Sequence, residues 1–525
     1  MPNHLNSEAA WNYHEATKHS YTSVRTNPHF LDFGNQPLPF KIYPTLEPSR
    51  MPTEVRQTGV AALSAITGGV PAQPPLQSNT APDFEAVAQL LYLSAGITRQ
   101  RKYAGGEIYF RAAACTGALY EVELYLCCGD LANLQAGVYH FAPAEFGLRR
   151  LRAGDYRSVL VEATGREPAI AQAPLIIVCT CTYWRNAWKY QARTYRHFGW
   201  DNGTLLANLL AVATALGLPA KVVCGFVDAT VNGLLDIDAQ REVAFSLVAL
   251  GHNSALSADT APRVLPEIST LGLETVPLSR DETDYPLMRE MHAASSLDSA
   301  EEVATWRGRI PPGSAEMTKF PPPAGPVANL QPLSDAEMAR DPIEQVILRR
   351  GSSRQFARTP ISLAQLSTIL DRATRGISAD FLDPMGSQLN HLYLIVHAVE
   401  GLESGAYVFH RDRGVIECLK HGDFRDQAGY LGLEQQLPAD AAVDIFFLAD
   451  MQPIFDRFGN RGYRAVQLEA GILGGKLYLA AYAQRLGATG LTFYDDNVTR
   501  FFSPHAEGKS AIFLVAVGNS VKRQP

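Results

Sequence analysis

Two short runs in this chain combine residue types able to do chemistry at close spacing. Arg349-Arg350-Gly351-Ser352-Ser353-Arg354 sets guanidinium groups on both sides of a hydroxyl, and such a set can grip a phosphate through paired, charge-assisted hydrogen bonds, helped by a nearby helix terminus. Trp188-Lys189-Tyr190 sets an amine beside a phenol. A phenol can donate a proton or a hydrogen bond, and a neighbouring ammonium can lower its pKa or hold a developing anion. Both runs also admit plainer readings, a solvated basic helix entrance and a core aromatic beside a surface cation. His14, His19 and His140 are weaker proton carriers, since single histidines are more often structural or at the surface.

The elements that must position these runs occur twice. Moving residues 124–215 forward by 268 positions gives 22 identities in 92 places, where chance gives roughly 5 or 6. Gly137-x-Tyr139-x-Phe141 falls on Gly405-x-Tyr407-x-Phe409, Arg193-x-Tyr195-Arg196 on Arg461-x-Tyr463-Arg464, and Gly203 on Gly471. A repeat of this length is a domain rather than a solenoid unit, so the chain reads as a built-in dimer. The copies differ where it matters: the same shift carries Lys189 and Tyr190 onto Arg457 and Phe458, which can do neither proton transfer.

The pattern predicts an N-terminal arm over residues 1–82 that wraps the domain surface, a first domain over 83–252, a Pro-rich linker over 253–340 and a second domain over 341–525. Within the first copy, helical spacing covers 84–97, strand-like runs cover 119–127, 137–141, 174–181 and 244–251, and a largely apolar helix covers 202–216. The last strand is mirrored at 511–518, and a helix starts near Ser362. In the linker, prolines at 311, 312, 321, 322, 323, 326 and 332 predict sparse regular structure. One amphipathic helix is expected over 281–303, and the segment is either a lid or a passive tether.

With 525 residues, 46% of them hydrophobic and 19% charged, the chain can bury two full cores. A net charge of -7 offers no general attraction to nucleic acid. The longest apolar stretch, 205–220, contains Asn208 and is too short for a membrane span. No charged-then-apolar leader opens the chain, so a cytoplasmic location is expected. The seven cysteines lie mostly in strand-like runs and are expected as reduced, buried thiols; Cys179-x-Cys181 lacks zinc-site spacing, and no metal is expected. Gly508-Lys509-Ser510 lacks the upstream glycine of a phosphate loop, with Ser503 in its place.

The run Arg350, Ser352, Arg354, Phe356 resembles the FMN-binding entry of the nitroreductase superfamily. In the first copy, Tyr13-His14-Glu15-x-Thr17-Lys18-His19-Ser20, then Arg111-x-x-x-x-Thr116-Gly117-Ala118-Leu119-Tyr120, then Gly137-Val138-Tyr139-His140-Phe141 resembles the SagB-type dehydrogenases, a group that includes thiazoline and oxazoline oxidases of peptide natural products. Lys189-Tyr190 matches that group's active-site pair. One departure stands out: the group commonly has Pro-Ser before the glycine of the Thr116-Gly117 segment, and this chain has Ala114-Cys115-Thr116.

The resemblance implies an α+β fold of two tandem nitroreductase-like α/β/α sandwich domains packed as an intramolecular pseudo-dimer, with FMN at the interface. One pocket would then take Arg350, Ser352 and Arg354 for the phosphate and ribityl end, the backbone of Gly490 and Leu491 near the ring, and Arg111, Thr116, Gly117, Lys189 and Tyr190 from across the interface. The reciprocal pocket would pair Lys18, His19 and Ser20 with Met385, Gly386, Ser387 and Asn390, facing Arg457 and Phe458. Lys522 and Arg523 are a further candidate pair for the first phosphate. The implied reaction dehydrogenates a carbon-nitrogen bond in a small molecule or peptide, with oxygen as acceptor. The alternatives are an NAD(P)H-dependent nitro or quinone reductase and a non-catalytic flavin-binding scaffold. A monomer with its internal pseudo-dimer, or a dimer of these, fits equally.

Overall fold

The computed structural model describes residues 6–68, 79–103, 106–257, 264–309, 321–382 and 387–521. Met385, Gly386, Lys522, Arg523, Pro311 and Pro312 lie outside them. The first sheet is built from β1 (Ser49–Arg50), β2 (Val122–Cys128), β3 (Gly137–Ala142), β4 (Gly147–Ala153), β5 (Leu175–Thr182), β6 (Ala220–Val223) and β7 (Glu242–Leu250), in the order β1-β4-β3-β2-β5-β7-β6. The second uses β8 (Val327–Asn329), β9 (Phe356–Ala357), β10 (His391–Val396), β11 (Gly405–His410), β12 (Val415–His421), β13 (Val443–Ala449), β14 (Gly487–Leu491) and β15 (Ser510–Ser520), in the order β8-β12-β11-β10-β13-β15-β9, with β14 on β15. All pairs in both sheets are antiparallel. The two orders coincide from β2 to β7 and from β10 to β15. The 268-residue shift is therefore a structural repeat as well as a sequence one.

Central strands such as β5, Leu-Ile-Ile-Val-Cys-Thr-Cys-Thr, are buried along their whole length, which explains their unbroken apolar, β-branched character. Helix termini carry the expected chemistry. Asp83 accepts a hydrogen bond from Ala86 N at the start of Phe84–Ala95, and Ser362 and Gln365 close a capping box at Leu363–Thr374. All seven cysteines are free, and six are buried.

The first copy's long helix opens at Thr194 rather than at residue 202. Four helices form the repeated core: α1 (Tyr183–Tyr190), α2 (Thr194–Ala215), α3 (Met451–Phe458) and α4 (Gly462–Ala483). The polar first turns of α2 and α4 hid their starts, because those turns face the other copy rather than an apolar core. The helices α2 and α4 pack along each other at the centre of the molecule, and their equivalent glycines meet. A Cβ placed on Gly203 would lie 2.5 Å from the Gly471 Cα, so only hydrogen at this position lets the backbones touch. Gly203→Val is expected to lower the unfolding free energy by at least ~1–3 kcal/mol, measured by urea denaturation.

Two expectations about the connecting segments are corrected. The arm does not only wrap the surface: its helix Glu8–Ala16 lies between the copies, with Tyr13 and His14 buried, Ala10 N donating to Asn460 Oδ1 at 3.0 Å and the Tyr13 hydroxyl to Ala192 O at 2.5 Å. Among its described residues the linker holds two helices, Pro286–Ala294 and Ala300–Gly308, where one was expected over 281–303. The chain breaks between them because Leu297 N donates to the Asp228 carboxylate at 3.0 Å and Ser299 caps the next helix.

Candidate functional site

The repeated Arg-x-x-Arg spacing turns out to be a clamp between copies. Arg193 and Arg196 of the first copy hold Asp495 of the second at 3.0 and 2.8 Å, while Arg461 and Arg464 of the second hold Asp228 of the first at 2.6 and 2.7 Å. All four arginines and both aspartates are buried. The guanidiniums keep the carboxyls of Asp228 and Asp495 at about 2 against the penalty of burial. Each clamp is completed by a helical segment outside the domain repeat. Arg196 donates to His14 O and Thr17 Oγ1, as Arg464 donates to His292 O and Ser295 Oγ. His19 N reaches Asp495 as Leu297 N reaches Asp228. The linker residues 286–297 thus repeat the arm residues 8–19 at a shift of 278. Only His14/His292 and Ala16/Ala294 are identical in that register, so pattern reading missed it.

This arrangement moves three expected pocket residues. Lys18 pairs with Glu15 and Asp496 at 2.7 and 2.8 Å, His19 lies against Asp495 and Arg193, and Ser20 is the exposed N-cap of Tyr21–Arg25. They flank the seam that carries Lys189 and Tyr190, not the reciprocal one facing Arg457 and Phe458. The physical reason is the clamp, which draws the arm to the Asp495 end of the second copy. Burial and the Arg193 charge lower His19 to about 3, and burial and Arg196 also lower His14. His140 is buried against Glu123 at 3.0 Å.

Along that first seam the remaining expected residues converge. Arg350 ends the helix Ile343–Arg349, so the adjacent terminus is a C-terminal one, which favours cations rather than phosphate. Its guanidinium crosses to the first copy, donating to Ala112 O at 3.0 Å and Arg111 O at 3.5 Å, above the Tyr478 ring. The Tyr478 hydroxyl lies 3.3 Å from Ser352 Oγ and accepts from Gly490 N; Leu491 follows at the end of β14. Arg111 is buried, its side chain donating to Pro39 O at 2.7 Å while Nε has no partner. Among the described residues no carboxylate lies within ion-pair distance of Arg350 or Arg111. Two buried cations satisfied only by carbonyls, with an orphaned N–H, suit an anionic group. On that ground the site fits a flavin phosphate or an electron-rich ring edge.

Lys189 and Tyr190 end α1 at the same seam, both half-buried. Gly117 takes φ +64°, and a Cβ there would sit 2.9 Å from the Tyr190 hydroxyl, so glycine lets the loop touch the phenol. Burial raises the Tyr190 hydroxyl well above its ordinary value, helped by Asp201, Cys115 and Glu121 and opposed by Arg354. The net shift is opposite to the lowering expected from the adjacent ammonium, because the phenol is desolvated. Burial and the Arg354 charge lower Lys189. The pair is therefore a neutral phenol beside an amine that loses its proton more readily than usual.

Behind the pair lies a group that pattern reading missed. Asp201 accepts from Thr116 N at 2.8 Å and Thr116 Oγ1 at 2.9 Å, while Cys115 Sγ lies 3.4 Å from Asp201 and 3.5 Å from Glu121. Cys115, Glu121 and Asp201 form a cluster whose ligand atoms lie close enough to hold a metal ion, although Asp201 already takes both donors of Thr116. Burial raises Glu121 and Asp201 together: two adjacent buried carboxyls share protons rather than both ionise. A signal existed, since the 268 shift carries Asp201 onto Glu469, an acid in both copies. A small cavity of about 20 Å³ opens beside this cluster, lined by Arg111, Tyr120, Cys115 and Asp201.

The nitroreductase family model matches residues 78–252 and 347–518. This chain belongs to the nitroreductase family. Along almost its whole length it is similar to a crystal structure assigned as a nitroreductase from Anabaena variabilis, at 25% identity and a TM-score of 0.77, covering 98% of this chain and 100% of that one. It is 30% identical over 162 residues to the trifolitoxin-processing protein TfxB of Rhizobium leguminosarum bv. trifolii, covering 30% of this chain and 43% of TfxB. It is 31% identical over 133 residues to the microcin B17-processing protein McbC of Escherichia coli, covering 24% of this chain and 48% of McbC. These matches identify the resemblance to SagB-type proteins as a real one, and they span about half of the two processing proteins. Among the described residues no helix is long and apolar enough to cross a membrane.

Proposed function

We propose that this nitroreductase-family chain is an FMN-dependent oxidoreductase that dehydrogenates a carbon-nitrogen bond, in an azoline-like ring or a related group, carried on a small molecule or a peptide. The observation that carries the reading is the Lys189–Tyr190 pair lying on the seam where Arg350 and Arg111 stand buried without a carboxylate. Similarity to TfxB and McbC, named for the processing of trifolitoxin and microcin B17, supports the substrate class. FMN would supply two-electron redox chemistry, taking a hydride from substrate and returning electrons to oxygen.

The chain's own residues have distinct tasks in this reading. Arg350, Ser352 and Arg354 hold the phosphate and ribityl end, Gly490 and Leu491 border the ring, and Arg111, Thr116 and Gly117 close the site from the first copy. Lys189, its pKa lowered, takes the substrate proton; Tyr190, held neutral, donates the hydrogen bond that orients the reacting nitrogen. The purified protein's absorbance spectrum tests the cofactor, and anaerobic mixing tests the direction. Bleaching by an azoline-containing peptide supports dehydrogenation. Bleaching by NADPH alone favours the nitro or quinone reductase, and a colourless protein that binds no added FMN favours the scaffold. Arg350→Ala is expected to weaken FMN binding roughly 10- to 100-fold by fluorescence titration, and unchanged affinity would remove Arg350 from the site.

A further inference from the structure

The two seams are related by the repeat but only one is open, and the linker is what fills the other. At the second seam Phe458 stands where Tyr190 stands at the first. Trp306, from the linker helix Ala300–Gly308, is fully buried against it, with ring centres 5.2 Å apart and the indole Nε1 donating to Phe458 O at 3.1 Å. The indole also presses on the backbone of the first copy: a Cβ on Gly225 would lie 2.9 Å from it. The end of β6 and the backbone that follows it, equivalent to Gly490, Leu491 and the residues after them, are occupied as well. Cys224 N and Gly225 N both donate to the buried Asp380 carboxylate at 2.8 Å, and Val222 N donates to Ser378 O at 2.9 Å.

The phosphate end is missing too. Arg350–Arg354 leads into the helix Leu363–Thr374, and in the stretch that leads into the first copy's matching helix Phe84–Ala95, from residue 57 to residue 83, the sequence has no arginine or lysine. The first seam shows the contrast. There the helix that starts at a serine cap is the five-residue Tyr21–Arg25, none of whose residues is buried, while Lys189 and Tyr190 stay half-exposed.

We infer that the linker acts as a permanent plug, its Trp306 filling the second seam together with Asp380 of the second domain, so that each chain binds one flavin and has one entrance for substrate, past Tyr21–Arg25. This rests on the FMN reading above. An indole is a flat, apolar filler of the kind of slot that would otherwise take a flavin ring, and its burial leaves no gap for one. It also accounts for the loss of the amine-phenol pair in the second copy, whose Phe458 now packs on Trp306.

The test is the flavin-to-protein ratio of the full chain after saturation with FMN, desalting and release by denaturation. A ratio near one, abolished by Arg350→Ala and unchanged by Phe458→Leu, is the expected result. A ratio near two would overturn the plug while leaving the FMN reading intact. A ratio of one that Phe458→Leu abolishes and Arg350→Ala does not would place the flavin in the second seam and overturn the assignment. A ratio of zero would sink the FMN reading itself, and the plug with it.

Discussion

Tyr190→Phe is expected to cut turnover by about 10²- to 10⁴-fold while the protein keeps its flavin spectrum, and Lys189→Ala is expected to do the same with an added change in pH dependence. The phenol is held neutral by burial and by the Asp201–Glu121–Cys115 group behind it, so its loss removes a donor and not a charge. The amine is different. Its pKa is lowered, and an amine accepts a proton only once it is deprotonated, so wild-type turnover should rise with pH until the Lys189 amine is neutral. Lys189→Ala should flatten that limb. Single-turnover rates across a pH series check both statements; a Tyr190→Phe enzyme with full activity, or a pH limb that survives Lys189→Ala, would take the pair out of the chemistry.

Asp228→Ala should cost about 3–5 kcal/mol of stability, because it leaves Arg461 and Arg464 as buried, unpaired cations. Loss of one clamp loosens one seam of the interface, so urea denaturation should show both a lower midpoint and weaker coupling between the halves. The pH dependence has a definite sign. A carboxyl held at about 2 in the fold, against 3.8 ordinarily, stabilises the protein fully above about pH 4, and that contribution is lost as pH falls through 2. Asp228→Asn should therefore shrink the difference in stability between pH 5 and pH 2.5. An unchanged acid profile would show that the clamp does not carry that part of the stability.

Much of the fold was legible because the physics is local and repeated. Unbroken apolar runs such as 174–181 become strands buried on both faces, and Asp83 and Ser362 mark helix starts by capping. What stayed hidden was set by partners far away in the chain. The polar first turns of α2 and α4 look unlike a buried helix until Asp228 and Asp495 neutralise their arginines, and Asp228 and Asp495 themselves are 267 apart, one residue out of the repeat register. The arm-to-linker repeat was hidden for a related reason: most of its contacts to the clamps use backbone atoms and small hydroxyls, which leave side chains free to diverge.

By itself the chain's order of residues determined that there are two copies of one domain, that only the first retains an amine beside a phenol, and that only the second retains the arginine-serine cradle. The first two are exposed by a shift of 268, and the third by the lack of any arginine or lysine from residue 57 to residue 98. The tertiary structure sets these two groups along one seam, as the family resemblance implied, and it alone decided that the linker's Trp306 fills the other. It also set the sign of the Tyr190 shift and carried Lys18, His19 and Ser20 to the open seam. Each of these depends on burial and on which charges face one another, and those are properties of packing between segments hundreds of residues apart.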